Sequence, residues 1–110
     1  MASGVLGNTM PGGGVPDLAT AAIVTASATT TLVLSICNQT AAADTVRIAV
    51  LPNGAAATGT IPTQNYIEFD YSLAANSTYE RTGIVLETGA RIICGSGAGS
   101  ISFVAYGLES

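Results

Sequence analysis

The chain has 110 residues, 48% of them apolar and only 9% charged, with three cations set against seven acids for a formal net charge of −4. An ordinary soluble domain carries about 25% charged residues, so this chain has few surface charges to keep its copies apart. The cations are the scattered Arg47, Arg81 and Arg91, which offer no cluster to displace counterions from phosphates, and nucleic acid is not expected as a partner.

The length suits one domain with a modest core. Residues 1–16 hold Gly4, Gly7, Pro11, Gly12, Gly13, Gly14 and Pro16. One reading is a frayed tail, since consecutive glycines lose much backbone entropy on ordering. The other is an extended arm laid along a neighbouring subunit, which gives Val5, Leu6, Met10 and Val15 something to cover. The second is preferred, so the chain divides into an N-terminal arm, 1–16, and a β-sandwich domain, 17–110. The start also lacks the basic and apolar segments of a secretion signal. No apolar run approaches the roughly 20 residues that span a bilayer, so the expectation is synthesis in a cytoplasm with no membrane partner.

AAIVTA, residues 21–26, reads as a first strand. TTTLVLSICN follows, with Leu32, Leu34 and Ile36 on one face and Thr31, Val33, Ser35 and Cys37 on the other, the alternation of a strand with one buried face. In TVRIAVL, Val46, Ile48 and Val50 alternate with Thr45, Arg47, Ala49 and Leu51, and the second set is expected to face outward. Residues 52–65 form the longest connection, near the length at which loops become functional, so Thr58 and Ile61 are expected to meet a partner. From Tyr66 to Gly107 the runs YIEFDY, TYERTGIVL, ARIICGS and SISFVAYG are separated by AANS, ETG and GAG, which predicts a meander of successive hairpins. Within it, Ile67, Phe69 and Tyr71 are expected on one face and Tyr66, Glu68 and Asp70 on the other, as an exposed acidic stripe. The last strand is apolar on both faces, which points to a central position or an oligomer contact through Val104 and Tyr106. The fold expected is all-β: an antiparallel β-sandwich of seven or eight strands, Ig-like or jelly-roll-like, with an extended N-terminal arm.

Catalytic chemistry finds little support. Without histidine, Ser–His and Cys–His arrangements are unavailable. Glu68 and Asp70 at i and i+2 read as a solvated face, and as a calcium site they fall short of six to eight ligands. GSGAGS, residues 95–100, has no Gly-Lys-Ser/Thr and reads as a turn. No catalytic residue, metal or cofactor is expected. Cys37 and Cys94 read either as two free thiols, the preferred reading, or as an inter-sheet disulfide. Asn38-Gln39-Thr40 and Asn76-Ser77-Thr78 are glycan acceptors only in a eukaryotic secretory route.

The run YIEFDYSLAANSTYERTGIVLETGARIIC followed by ISFVAYGLES resembles small virion proteins of tailed bacteriophages, cyanophages among them. The elements that carry the resemblance are Leu73 to Asn76, Glu80 to Leu86, Gly89 to Ile92 and Val104 to Glu109, with upstream support from TTTLVLSICNQTAAADTVRIAV. It covers about residues 20–110 and departs at Ser77, where the family-like turn has a second glycine. The resemblance implies a structural, non-enzymatic head decoration or cement protein: a homotrimer on the capsid surface of the virion, contacting the major capsid protein. A neck, tail or baseplate component is the first alternative, and an Ig-like binding module or a small enzyme the others. Under this reading Val5, Leu6, Met10, Val15, Thr58, Ile61, Val104 and Tyr106 are the interface residues. Removing residues 2–14 is expected to leave the sandwich folded and weaken attachment to the shell.

Overall fold

A computed structural model of the chain describes residues 3–109. Among these residues the strands are β1 (Ser3–Thr9), β2 (Val24–Thr25), β3 (Thr30–Asn38), β4 (Asp44–Leu51), β5 (Tyr66–Leu73), β6 (Thr78–Leu86), β7 (Arg91–Ser96) and β8 (Ile101–Glu109), with a 3-10 turn at Thr63–Asn65. They form two four-stranded sheets, in the orders β1-β8-β3-β6 and β2-β7-β4-β5. Every strand pair is antiparallel. The all-β sandwich is therefore as expected, and of the two topologies considered the strand order is that of a jelly roll, two interleaved Greek keys.

The expected meander is not what forms. Only β4 and β5 are consecutive strands within one sheet; β5 to β6, β6 to β7 and β7 to β8 each cross to the opposite sheet. The turn signals are real, but they are corners between layers. Alternation dictates which face of a strand goes inward, and a hairpin or a corner satisfies it equally well. At the AANS corner the left-handed conformation falls on Asn76 (φ 52°), a residue that tolerates it, so the turn closes with serine at position 77.

The stretch expected as an arm begins as part of the sandwich. β1 pairs with β8 of its own chain, with Val5 opposite Tyr106, and Leu6 packs against the core. Cutting away residues 2–14 would strip this edge strand from β8. β8 itself lies between β1 and β3, the central position that its two apolar faces suggest.

Between the sheets lies the main core, where Leu32, Leu34 and Ile36 of β3 meet Val46 and Ile48 of β4, Ile92 of β7 and Phe103 of β8. A second cluster sits on the far side of the β2-β7-β4-β5 sheet, where Leu18, Ala49, Leu51, Ile61 and Ile93 are all buried. Ala49 and Leu51 were expected to face outward. They do leave the main core, but the 52–65 loop folds back and Ile61 covers them, pinned where the Leu18 N–H donates to the Gly59 carbonyl at 2.8 Å.

Candidate functional site

The outer face of the β1-β8-β3-β6 sheet follows directly from alternation. Because Leu32, Leu34, Ile36, Ile101, Phe103 and Ala105 point inward, their neighbours along β3 and β8 point away from the core. Register then aligns them in rows: Val5 with Tyr106 and Val33, and Leu108 with Thr31 and Val85. Val5, Val85 and Leu108 are exposed by 64%, 62% and 51%, a spacing that makes one apolar surface across four strands. Glu80 is the one charged side chain among the described residues of this face. It accepts a hydrogen bond from the Tyr106 hydroxyl, and that bond, with some burial, raises the tyrosine pKa.

The charge sits elsewhere, along β5. Between Val46↔Tyr71 and Ile48↔Glu68 the register slips, so Phe69 and Asp70 together face Arg47. Asp70 takes a left-handed φ of 53°, and this bulge reverses the phase of the strand. Phe69, expected inside, is turned outward and exposed by 55%, while Tyr71 keeps the inner side of this edge strand, opposite buried Val46 and stacked on Tyr79, with 41% of it exposed. Arg47 donates to both Asp70 oxygens, at 2.7 and 3.0 Å, while its guanidinium lies 4.0 Å from the Phe69 ring centre. The arginine hydrogen bond holds the Asp70 carboxyl below its ordinary range. Glu68 accepts from Arg81 at 2.7 Å and from Tyr79 at 3.3 Å, and Tyr79 stacks on Tyr71 with ring centres 4.9 Å apart. The expected acidic stripe is thus two carboxylates, each paired with an arginine.

The eight expected interface residues do not form one surface. Val5, Val104 and Tyr106 share the outer face of the first sheet. Leu6 instead leans on the core. Met10 and Val15 are exposed between β1 and β2, with Val15 beside Arg47 and Asp70 in a cavity of about 210 Å³ on the other sheet. Thr58 is exposed in the 52–65 loop. Ile61 is only 1% exposed, so it is corrected from a partner contact to a residue of the chain's own second cluster. Val85 and Leu108 were missed: the alternation of β8 carries Leu108, whereas Val85 reaches this face only through the bulge in β6 where the register shifts between Leu32 and Leu34.

Both cysteines are free, with Cys94 buried and Cys37 half-buried, and burial pushes the Cys94 thiol far above its ordinary value. No disulfide joins them among the described residues. Asn38 is 1% exposed and its amide donates to the carbonyls of Ala42, Leu73 and Ala74, so the folded chain has no room for a glycan on that sequon. Among the described residues no group of three or more His, Cys, Asp or Glu side chains is placed to hold a metal.

Fold and surface together define a jelly-roll β-sandwich with one nearly uncharged sheet face. Comparison of the chain with protein-family models, with curated proteins and with solved structures finds no match.

Proposed function

We propose that this chain is a structural shell subunit: a head decoration protein of a tailed-phage virion that associates with copies of itself, as a trimer, and seats on the major capsid protein. The observation that carries the reading is the outer face of β1-β8-β3-β6, where Val5, Val33, Val85, Val104 and Leu108 share the sheet surface with one carboxylate, Glu80 on the edge strand β6. Burying such a face removes apolar surface from water at about 25 cal/mol per Å² and desolvates one charge at most. Weak contacts of this kind are multiplied when many copies sit on one particle. The resemblance of residues 20–110 to virion proteins supplies the setting, and the low total charge supports it.

The test is solution mass by light scattering over a concentration series, for the wild type and for a Val85→Lys/Leu108→Glu double variant. The wild type is expected to run as a trimer and the variant as a folded monomer with the same circular dichroism, its melting lowered only by the stabilisation that assembly supplies, because both positions lie outside the core. A wild type that stays monomeric at every concentration, or a variant that still assembles, rejects the face. Imaging of labelled protein on particles then separates head from neck or tail, and label confined to the tail overturns the decoration role.

A further inference from the structure

We infer that Asn53 is a site of spontaneous deamidation, and that the conversion releases the 52–65 loop from the second hydrophobic cluster. The chain has five asparagines. Deamidation needs the following backbone nitrogen to reach the side-chain carbonyl carbon, so it is fastest before glycine and where neither group is held. Asn38 is buried with its amide bonded. Asn65 donates its amide to the Val50 carbonyl at 3.1 Å. Asn8 lies within the paired strand β1. Asn76 precedes serine and has its own N–H tied to Thr40 at 2.9 Å. Asn53 alone precedes glycine. It is exposed, and its side-chain amide and the Gly54 N–H make no hydrogen bond among the described residues.

The local geometry is a turn closed by the Ala55 N–H donating to the Pro52 carbonyl at 3.2 Å, with Gly54 at φ 89° in the third position. A positive φ there is the mark of a type II turn, in which the N–H of that glycine is left unbonded. Space around Gly54 is open on the side a side chain would occupy.

The chemistry balances with water as the co-reactant. The Gly54 nitrogen, having given its proton to hydroxide, bonds to Cγ of Asn53. The bond from Cγ to Nδ2 breaks, ammonia leaves, and a five-membered imide closes. Water then adds to either imide carbonyl and opens the ring, giving aspartate or, with the backbone rerouted through the side chain, isoaspartate. One water is consumed, one ammonia is released, and no electrons change hands.

The product fits this loop badly. Isoaspartate lengthens the backbone inside a turn whose closure depends on a single hydrogen bond. Either product places a carboxylate beside Glu87, whose Oε1 accepts the Asn53 N–H at 3.4 Å. The same loop carries Ile61 onto Leu18, Leu51 and Ile93 and supplies the Ala56 carbonyl to Arg91. Loosening it uncovers the second cluster while the main core stays closed. This inference is independent of the assembly reading.

The experiment ages the full-length protein at mildly alkaline pH and digests it with trypsin. The peptide Ile48–Arg81 holds Asn53, Asn65 and Asn76 together, so fragment spectra compare the three directly. The amide-to-acid mass gain is expected at Asn53 first, with isoaspartate detectable by enzymatic methyl transfer, and it is expected to be lost from that position in Asn53→Gln. A gain that appears first at Asn65 or Asn76, or no gain at all, overturns the site. The converted form, separated by its extra negative charge, is expected to be cut faster by protease within residues 52–62. Equal cutting of both forms overturns the loop release.

Discussion

Gly107→Ala is expected to cost about 3 kcal/mol or more, the upper end of overpacking penalties and a large share of the total stability of a small domain. Gly107 pairs with Leu32 of β3 on one side and with Gly4 of β1 on the other. A Cβ added there would lie 2.1 Å from the Thr31 carbonyl oxygen and 2.7 Å from the Leu32 Cα. These are backbone atoms of the adjacent strand, so no side chain can rotate aside; β3 or β8 must move. Both strands feed the main core through Leu34, Ile36, Phe103 and Ala105, which turns a local shift into a loss of packing. The control is Gly12→Ala, where the new methyl meets nothing within 4 Å and stability is expected to hold or rise slightly through a stiffer unfolded chain. Urea denaturation of the two variants decides the matter. Equal midpoints would mean that β8 does not approach β3 so closely.

What the sequence could show, and where it misled, is visible strand by strand. β3 was legible because one face is buried and the other is not: Leu32, Leu34 and Ile36 alternate cleanly with threonine, valine and serine. β5 was misread because periodicity assumes an unbroken pleat. One left-handed residue, Asp70, shifts the phase and puts Phe69 outside, and an aspartate carries no local mark of that conformation. β1 was hidden for another reason. Its glycines and interspersed apolar residues read as an arm for a neighbouring subunit, because the partner that orders it, β8, lies about a hundred positions away in the same chain. The burial of Ala49 and Leu51 was likewise a tertiary fact, created when a loop folds over a sheet face that alternation had assigned to solvent. The candidate face was half visible: Val104 and Tyr106 were found from β8, while Val33 acquires meaning only when register sets it beside Tyr106, and Val85 only when the β6 bulge turns it to the same face, across Thr31 from Leu108. The strand order decided which outward-facing residues became neighbours, and no local pattern encodes it.

The buried carboxylate of Asp44 sets how acid is tolerated, and its replacement is the second large effect expected. Asp44 opens β4 at 7% exposure. Its side chain accepts the N–H groups of Thr45 at 2.7 Å, Ala98 at 3.0 Å and Ser100 at 3.4 Å, and the Ser100 hydroxyl at 2.7 Å. One side chain therefore ties the start of β4 to the corner between β7 and β8, so that the two sheets are clamped at one end. Asp44→Ala leaves those buried donors without an acceptor, and at about 1–3 kcal/mol for an unsatisfied buried group the expected loss at neutral pH is about 3 kcal/mol. The pH dependence has a definite sign. Burial alone would raise the Asp44 pKa, but the Ser100 hydroxyl and the three N–H donors together lower it beneath the ordinary value of 3.8. The unfolded chain then takes up the proton first as pH falls. The clamp's contribution is complete above pH 3.8 and is lost as pH drops through the lower, folded value. Asp70 and Glu109 are also held below their ordinary values, so the wild type has further acid-labile contributions. Subtraction isolates the clamp: denaturation of wild type and Asp44→Asn across the acid range should show curves that converge as pH falls, because the variant has no carboxylate to protonate. Parallel curves would mean that Asp44 titrates alike in the folded and unfolded chain, and that its hydrogen bonds do not favour the charged form.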